Sequence, residues 1–170
     1  MLTAWHVIQD DLESDAIKVQ YQNGKRAKRC RVIEYDESKD IALIWTWVPN
    51  DIKPATLATK PIGRNEKVEF AGLGGGSELK CCIRHFESRA SSPTTIEKIF
   101  ADVPLLPGDS GGPVFNSKQE VVGIISGGWF WWNSGVKNSH GTHVRTTWPA
   151  RTCNLGPIAT LIGSLKEDKK

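Results

Sequence analysis

The sequence predicts an all-β protein closed by one short helix, and three observations carry that expectation. Sixteen glycines and nine prolines are spread along 170 residues, so turns recur at short intervals. The apolar residues fall in short runs, alternating or continuous, bounded by turn-formers. Helical spacing of apolar residues is confined to the C-terminal end. At 39% hydrophobic residues the chain holds enough material for a core of ordinary size, in one compact unit or two small lobes.

Taken in order, Ala16–Tyr21 alternates apolar and polar and predicts a strand. Asn23-Gly24 then turns the chain back from Lys28 to Tyr35 as a hairpin. Ile41-Ala42-Leu43-Ile44-Trp45 is a continuous apolar run bounded by turn-formers, hence a buried strand, and Pro49-Asn50-Asp51 closes it. The stretch from Lys53 to Pro61 is rich in Pro and Thr without periodicity. It predicts the connection between two lobes, residues 1–60 and 61–165. Strands resume at Lys67–Ala71, and Gly72-Leu73-Gly74-Gly75-Gly76 interrupts them. Further strands are expected at Leu79–Phe86, Thr95–Ala101, Pro113–Phe115, Val121–Ser126 and Thr142–Thr147. Leu155, Ile158, Ile162 and Leu165 recur at helical intervals, with Asn154 as a cap and Pro157 in the first turn, and Glu167–Lys170 trails off as a frayed tail.

A net charge of +3, with 22 basic and 19 acidic residues mixed along the chain, argues against nucleic acid as a partner. The one basic run, Lys25–Arg29 with Arg31, follows the hairpin turn and reads as a solvated strand face. No signal peptide is visible at Met1–Trp5, and the apolar run Val121–Trp132 is too short to span a bilayer, which takes about 20 residues. Cys30, Cys81, Cys82 and Cys153 form no CxxC pair or metal-ligand spacing, so no metal and no cofactor are expected. The pattern leans to free thiols and a reducing compartment.

Chemistry concentrates in Gly108-Asp109-Ser110-Gly111-Gly112-Pro113. A nucleophilic serine needs a tight turn that exposes its hydroxyl while backbone N–H groups converge beside it, and small residues permit that crowding. The hexapeptide resembles the nucleophile motif of the chymotrypsin-like serine proteases. Thr3-Ala4-Trp5-His6-Val7 is similar to that family's histidine motif, and Asp40-Ile41-Ala42-Leu43 to its aspartate motif. The order His, Asp, Ser is the chymotrypsin order. The likeness extends from Gly63 to Gly74, an opening strand, and over Gly123–Gly128, a substrate-binding strand.

This resemblance implies two antiparallel β-barrels with a cleft between them and a polypeptide substrate. Ser110 is the implied nucleophile, His6 the general base and Asp40 the residue that orients it. Gly108 and Ser110 N–H groups would form the oxyanion hole. Ser126, Gly127 and Gly128 would border the substrate, with Ser126 also behind Asp40. Asp36 competes for the carboxylate role but lacks the apolar strand that follows Asp40. Asp109 implies either an internal basic partner, Arg84 or Arg89, or an exposed carboxylate. Pro104 stands where trypsin-like members carry a selecting acid, so preference for Arg or Lys is not expected. An apolar residue before the cleaved bond is favoured, while His143 is a candidate to bind an acidic or amide side chain. Trp129–Trp132 either caps the second barrel or forms an aromatic contact surface. Two family disulfides are absent, as in bacterial, phage or viral branches. His6 lies so near the start that the strands preceding it in the family have no counterpart. A first barrel incomplete at its N-terminus, in a piece of a longer protease, is therefore expected. The alternative reading is a catalytically silent peptide-binding module on the same fold. Oligomeric state is left open.

Overall fold

In the computed structural model, the residues described are 1–12, 17–21, 24–27, 29–62, 66–72, 85–88, 96–101, 108–128 and 148–167. The first strands are β1 (Leu2–Thr3), β2 (Val19–Gln20), β3 (Arg26–Ala27), β4 (Arg31–Asp36) and β5 (Ile41–Trp45). After a long connection come β6 (Lys67–Phe70), β7 (His85–Ser88), β8 (Ile96–Ala101), β9 (Pro113–Phe115), β10 (Val121–Gly128) and β11 (Trp148–Asn154). The last element is helix α1 (Leu155–Glu167).

β2 and β3 pair antiparallel, Val19 facing Ala27, and Gly24 between them takes φ +78°, a left-handed value glycine adopts without strain. β5 lies between β1 and β4 in a three-stranded sheet. Its continuous apolar run has a simple cause. Successive side chains point to opposite faces. Ala42 and Ile44 enter a core with Trp5, Ile8, Ile17, Val19, Ala27 and Cys30. Ile41 and Leu43 enter a second core with Val121, Ile124, Ile158 and Leu161. Both faces are covered, so no polar alternation is needed.

The later strands are hydrogen-bonded in a ring, β10-β11-β8-β7-β6-β9, antiparallel throughout. Val68, Phe70, Val114, Val122 and Ile125 fill it from inside, and Ala58, Ile62 and Leu155 pack with them. Among the described residues the earlier strands form no such ring. The connection is anchored rather than loose: Leu57 bridges to Val121, with the Val121 N–H on Thr56 O at 2.8 Å and the Ala58 N–H on Val121 O at 2.9 Å.

Several local expectations need adjustment. β11 was not foreseen, because Pro149 and Arg151 break the apolar pattern. Pro149 pairs with Phe100 of β8 and lies beyond Ala150, where the β10 pairing ends, so its missing N–H costs no ladder bond there. β10 runs two residues past Ser126. In α1 it is Leu161, with Ile158 and Leu155, that is buried, while Ile162 is only half-buried. The expected strands over Leu79–Arg84 and Thr142–Thr147, the aromatic run Trp129–Trp132, and Cys81 and Cys82 lie outside the described residues. Cys30 is a buried free thiol. Arg26, Arg29 and Arg31 are exposed, and Lys25 pairs with Asp51 at 3.1 Å on the surface. No helix of the described residues is long and apolar enough to cross a membrane.

Candidate active site

His6 and Asp40 each stand on a single short turn of 3-10 helix. The first covers Trp5–Val7, and the second Glu37–Lys39 with Asp40 at its C-terminal end. Asp36 opens the second turn, its Oδ1 accepting from the Lys39 N–H at 3.1 Å and from Ser38 Oγ at 2.6 Å. Asp40 closes it in the left-handed region (φ 52°, ψ 51°), where aspartate is among the few tolerated side chains. Asp36 is therefore a cap rather than a partner of the imidazole.

This geometry delivers the Asp40 carboxylate to three donors. Oδ1 accepts the His6 backbone N–H at 2.9 Å, and Oδ2 lies 2.8 Å from His6 Nδ1 and accepts from Ser126 Oγ at 2.5 Å. Ser126 is the extra residue of a bulge in β10, where the pairing with β11 slips between Ile125 and Gly127. Bulges re-aim a side chain, and this one turns the hydroxyl onto Asp40. The imidazole side chain is 42% exposed and the carboxylate 18%, so the ring faces solvent while its partner is covered. Trp5, His6, Gln9, Glu37, Ser38, Asp40 and Ser126 line an open cavity of about 400 Å³.

Ser110 lies on the turn between Gly108 (φ +100°) and Gly111 (φ +82°), conformations that favour glycine. The turn is fixed by Gly111 N–H on Ile125 O and Ile125 N–H on Gly112 O, both 2.8 Å, and by Gly112 N–H on Asp109 O at 3.0 Å. It is also wedged between neighbours. A Cβ on Gly111 would stand 2.4 Å from Thr3 Oγ1, and one on Gly112 would stand 2.2 Å from Ala71 O. The serine turn thus abuts Thr3–Ala4, immediately ahead of the histidine turn. No hydrogen bond joins Ser110 to the His6 ring; resting sites of this kind are often looser than reacting ones.

Asp109 is only 3% exposed, which rules out the exposed alternative. Its carboxylate packs so closely on Gly72 that a Cβ there would fall 2.2 Å from Oδ1. Arg84, Arg89, Pro104 and His143 lie outside the described residues. Gly127 has open space where a side chain would stand. Among the described residues no cluster of three His, Cys, Asp or Glu side chains is placed to hold a metal ion. Sequence reading missed the Asp36 cap, although an Asp three residues before Lys39 is a visible capping signal. It also missed the stacking of Trp5 on Tyr35, a contact between distant segments with no local signature.

An antiparallel β fold with a carboxylate–imidazole pair beside a glycine-flanked serine turn is the arrangement of the trypsin-like peptidase fold. Comparison with known proteins agrees: residues 1–124 match the trypsin-like peptidase domain, and the chain belongs to that family. It is 32% identical over 119 residues to a glutamyl endopeptidase of Staphylococcus epidermidis, covering 64% of this chain and 40% of that protein. It is 30% identical over 135 residues to a probable periplasmic DegP-like serine endoprotease of Pseudomonas putida, covering 74% and 26%. An anti-sigma-I factor of Acetivibrio thermocellus is 27% identical over 127 residues, covering 74% and 17%. The chain thus spans 40% or less of the length of these relatives. Its fold is similar to that of a protease from M. tuberculosis in its active form, with a TM-score of 0.62, 22% identity and coverage of 95% and 67%.

Proposed function

We propose that this chain carries the catalytic groups of a serine endopeptidase, with residues 1–60 supplying base and carboxylate and residues 61–165 the nucleophile. The observation that carries the reading is the grip of Asp40 on His6 through both ring and backbone, with the serine turn lodged against the same segment. With Nδ1–H donating to Asp40, the Nε2 lone pair is left to accept a proton. Ser110 Oγ attacks the peptide carbonyl as its proton passes to Nε2. The oxyanion accepts the N–H groups of Gly108 and Ser110, a contribution of roughly 3 kcal/mol per donor. The C–N bond breaks as Nε2 returns the proton to the leaving amine, and water, activated by the same imidazole, hydrolyses the acyl ester. Ser126 supports the carboxylate, and Gly127 and Gly128 border the substrate.

The substrate is a polypeptide, with Leu, Phe or Glu before the cleaved bond accepted ahead of Arg or Lys. A fluorophosphonate probe tests the reading: it should label the wild-type chain covalently and leave Ser110→Ala unlabelled. A folded chain that takes up no label overturns the enzymatic reading and leaves a peptide-binding module on the same fold.

A further inference from the structure

The His6–Asp40 pair stands on two turns too short to hold their own shape, since a single helical turn fixes several dihedrals for one or two hydrogen bonds. Both turns are tied to the same end of β4. Trp5, buried next to His6, stacks on Tyr35 with ring centroids 3.9 Å apart and planes within 6°. The next residue, Asp36, caps the turn that ends at Asp40. Adjacent strand residues point to opposite faces, so one strand end reaches both turns. The strand itself is held by pairing with β5, Tyr35 facing Ala42 and Asp36 facing Ile41.

We propose that Tyr35 and Asp36 are positioning residues, Tyr35 fixing the histidine turn through the Trp5 ring and Asp36 fixing the aspartate turn through its cap. This rests on the endopeptidase reading for its effect on rate, though not for its effect on geometry. Displacing a reacting group by about 1 Å costs on the order of 100-fold. Loosening one of two supports, with the Asp40 hydrogen bonds still in place, should cost about tenfold.

The test compares Tyr35→Phe and Asp36→Asn, which keep the ring and the cap, with Tyr35→Leu and Asp36→Ala, which remove them. The readouts are kcat and KM on a fluorogenic peptide and the downfield NMR resonance of the His6 Nδ1 proton held by Asp40. The conservative pair should keep kcat within about twofold and retain the resonance. The disruptive pair should lower kcat about tenfold at nearly constant KM and broaden or lose the resonance while the remaining spectrum stays dispersed. Asp36→Ala, at a half-buried position, decides the matter if Tyr35→Leu does not fold. Folded disruptive variants that keep both kcat and the resonance overturn the proposal, as does a wild-type spectrum lacking the resonance throughout the imidazole titration. If the wild-type chain cleaves nothing, the endopeptidase reading fails, and the resonance alone still decides whether these residues position the pair.

Discussion

Gly111→Ala should separate the role of the serine turn from that of the serine. Gly111 holds φ +82°, and an alanine in the left-handed region costs about 1–2 kcal/mol. The added Cβ would meet Thr3 Oγ1 at 2.4 Å and Ala4 N at 3.3 Å, where ordinary contact begins at 3.4 Å. One side must therefore yield by 3.4 − 2.4 = 1.0 Å. Thr3 is buried in β1 against β5, and the Gly111 N–H is fixed to Ile125 O, so neither neighbour gives freely. Overpacking of this size costs about 1–3 kcal/mol, for a total of roughly 2–5 kcal/mol. The melting temperature should drop by on the order of 10 °C. A shift of about 1 Å between Ser110 and the histidine segment should lower kcat about 100-fold. Thr3→Ala removes the closest atom, leaving Thr3 Cβ at 3.5 Å and Ala4 N at 3.3 Å, so the double variant Thr3→Ala/Gly111→Ala should regain about tenfold in rate. Stopped-flow or labelling rates and a thermal melt of the four proteins complete the cycle. A Gly111→Ala protein with wild-type rate and melt, or a double variant no faster than the single, would refute the reasoning.

Asp40→Asn should lower kcat about 10⁴-fold with little change in KM, because one amide oxygen cannot serve the three donors that converge on the carboxylate, and the imidazole loses its tautomer. If Asp36→Asn is the variant that loses turnover instead, the carboxylate is misassigned. His6→Ala and Ser110→Ala should each abolish turnover, and the double variant should be no worse than either, since the two act as a unit. Ile44→Ala and Ile41→Ala should each cost about 2–5 kcal/mol in chemical denaturation, one from each core; a cost below about 1 kcal/mol would mean that face of β5 is not packed. A peptide library should show poor cleavage after Arg or Lys relative to Leu, Phe or Glu. Strong Arg or Lys preference would point to Asp102 in the pocket instead of Pro104.

What could be read from the sequence was whatever nearest neighbours determine. The run Ile41–Ile44 announced a buried strand because two covered faces require apolar residues at each of these four positions. Asn23-Gly24 announced a hairpin because one residue had to take positive φ. His6 and Asp40 were named through two of the three ordered motifs, and Ser126 through the likeness of Gly123–Gly128 to a substrate-binding strand. Asp40 lies within hydrogen-bonding reach of both His6 and Ser126, while Ser110 of the third motif makes no hydrogen bond to the His6 ring. The rest depended on partners far along the chain. β11 is a strand through its two neighbours, in spite of Pro149. The bulge at Ser126 exists only relative to β11, and the Trp5–Tyr35 stack joins residues thirty positions apart. The exposed Trp45 likewise takes Arg31 over its ring, 5.6 Å from the centroid, only because β4 and β5 set the two opposite each other.

β5 is a party wall. Each residue from Ile41 to Ile44 answers to neighbours on one side only, yet all four share a backbone whose first step is Asp40. A redesigner who enlarges a side chain on one face pushes that backbone into the opposite tenants, and the carboxylate moves with it. Volume can therefore be traded within either room but not carried through the wall, and attempts to harden this protein have more latitude in the ring of later strands, around Val68 and Val114, than in these four positions.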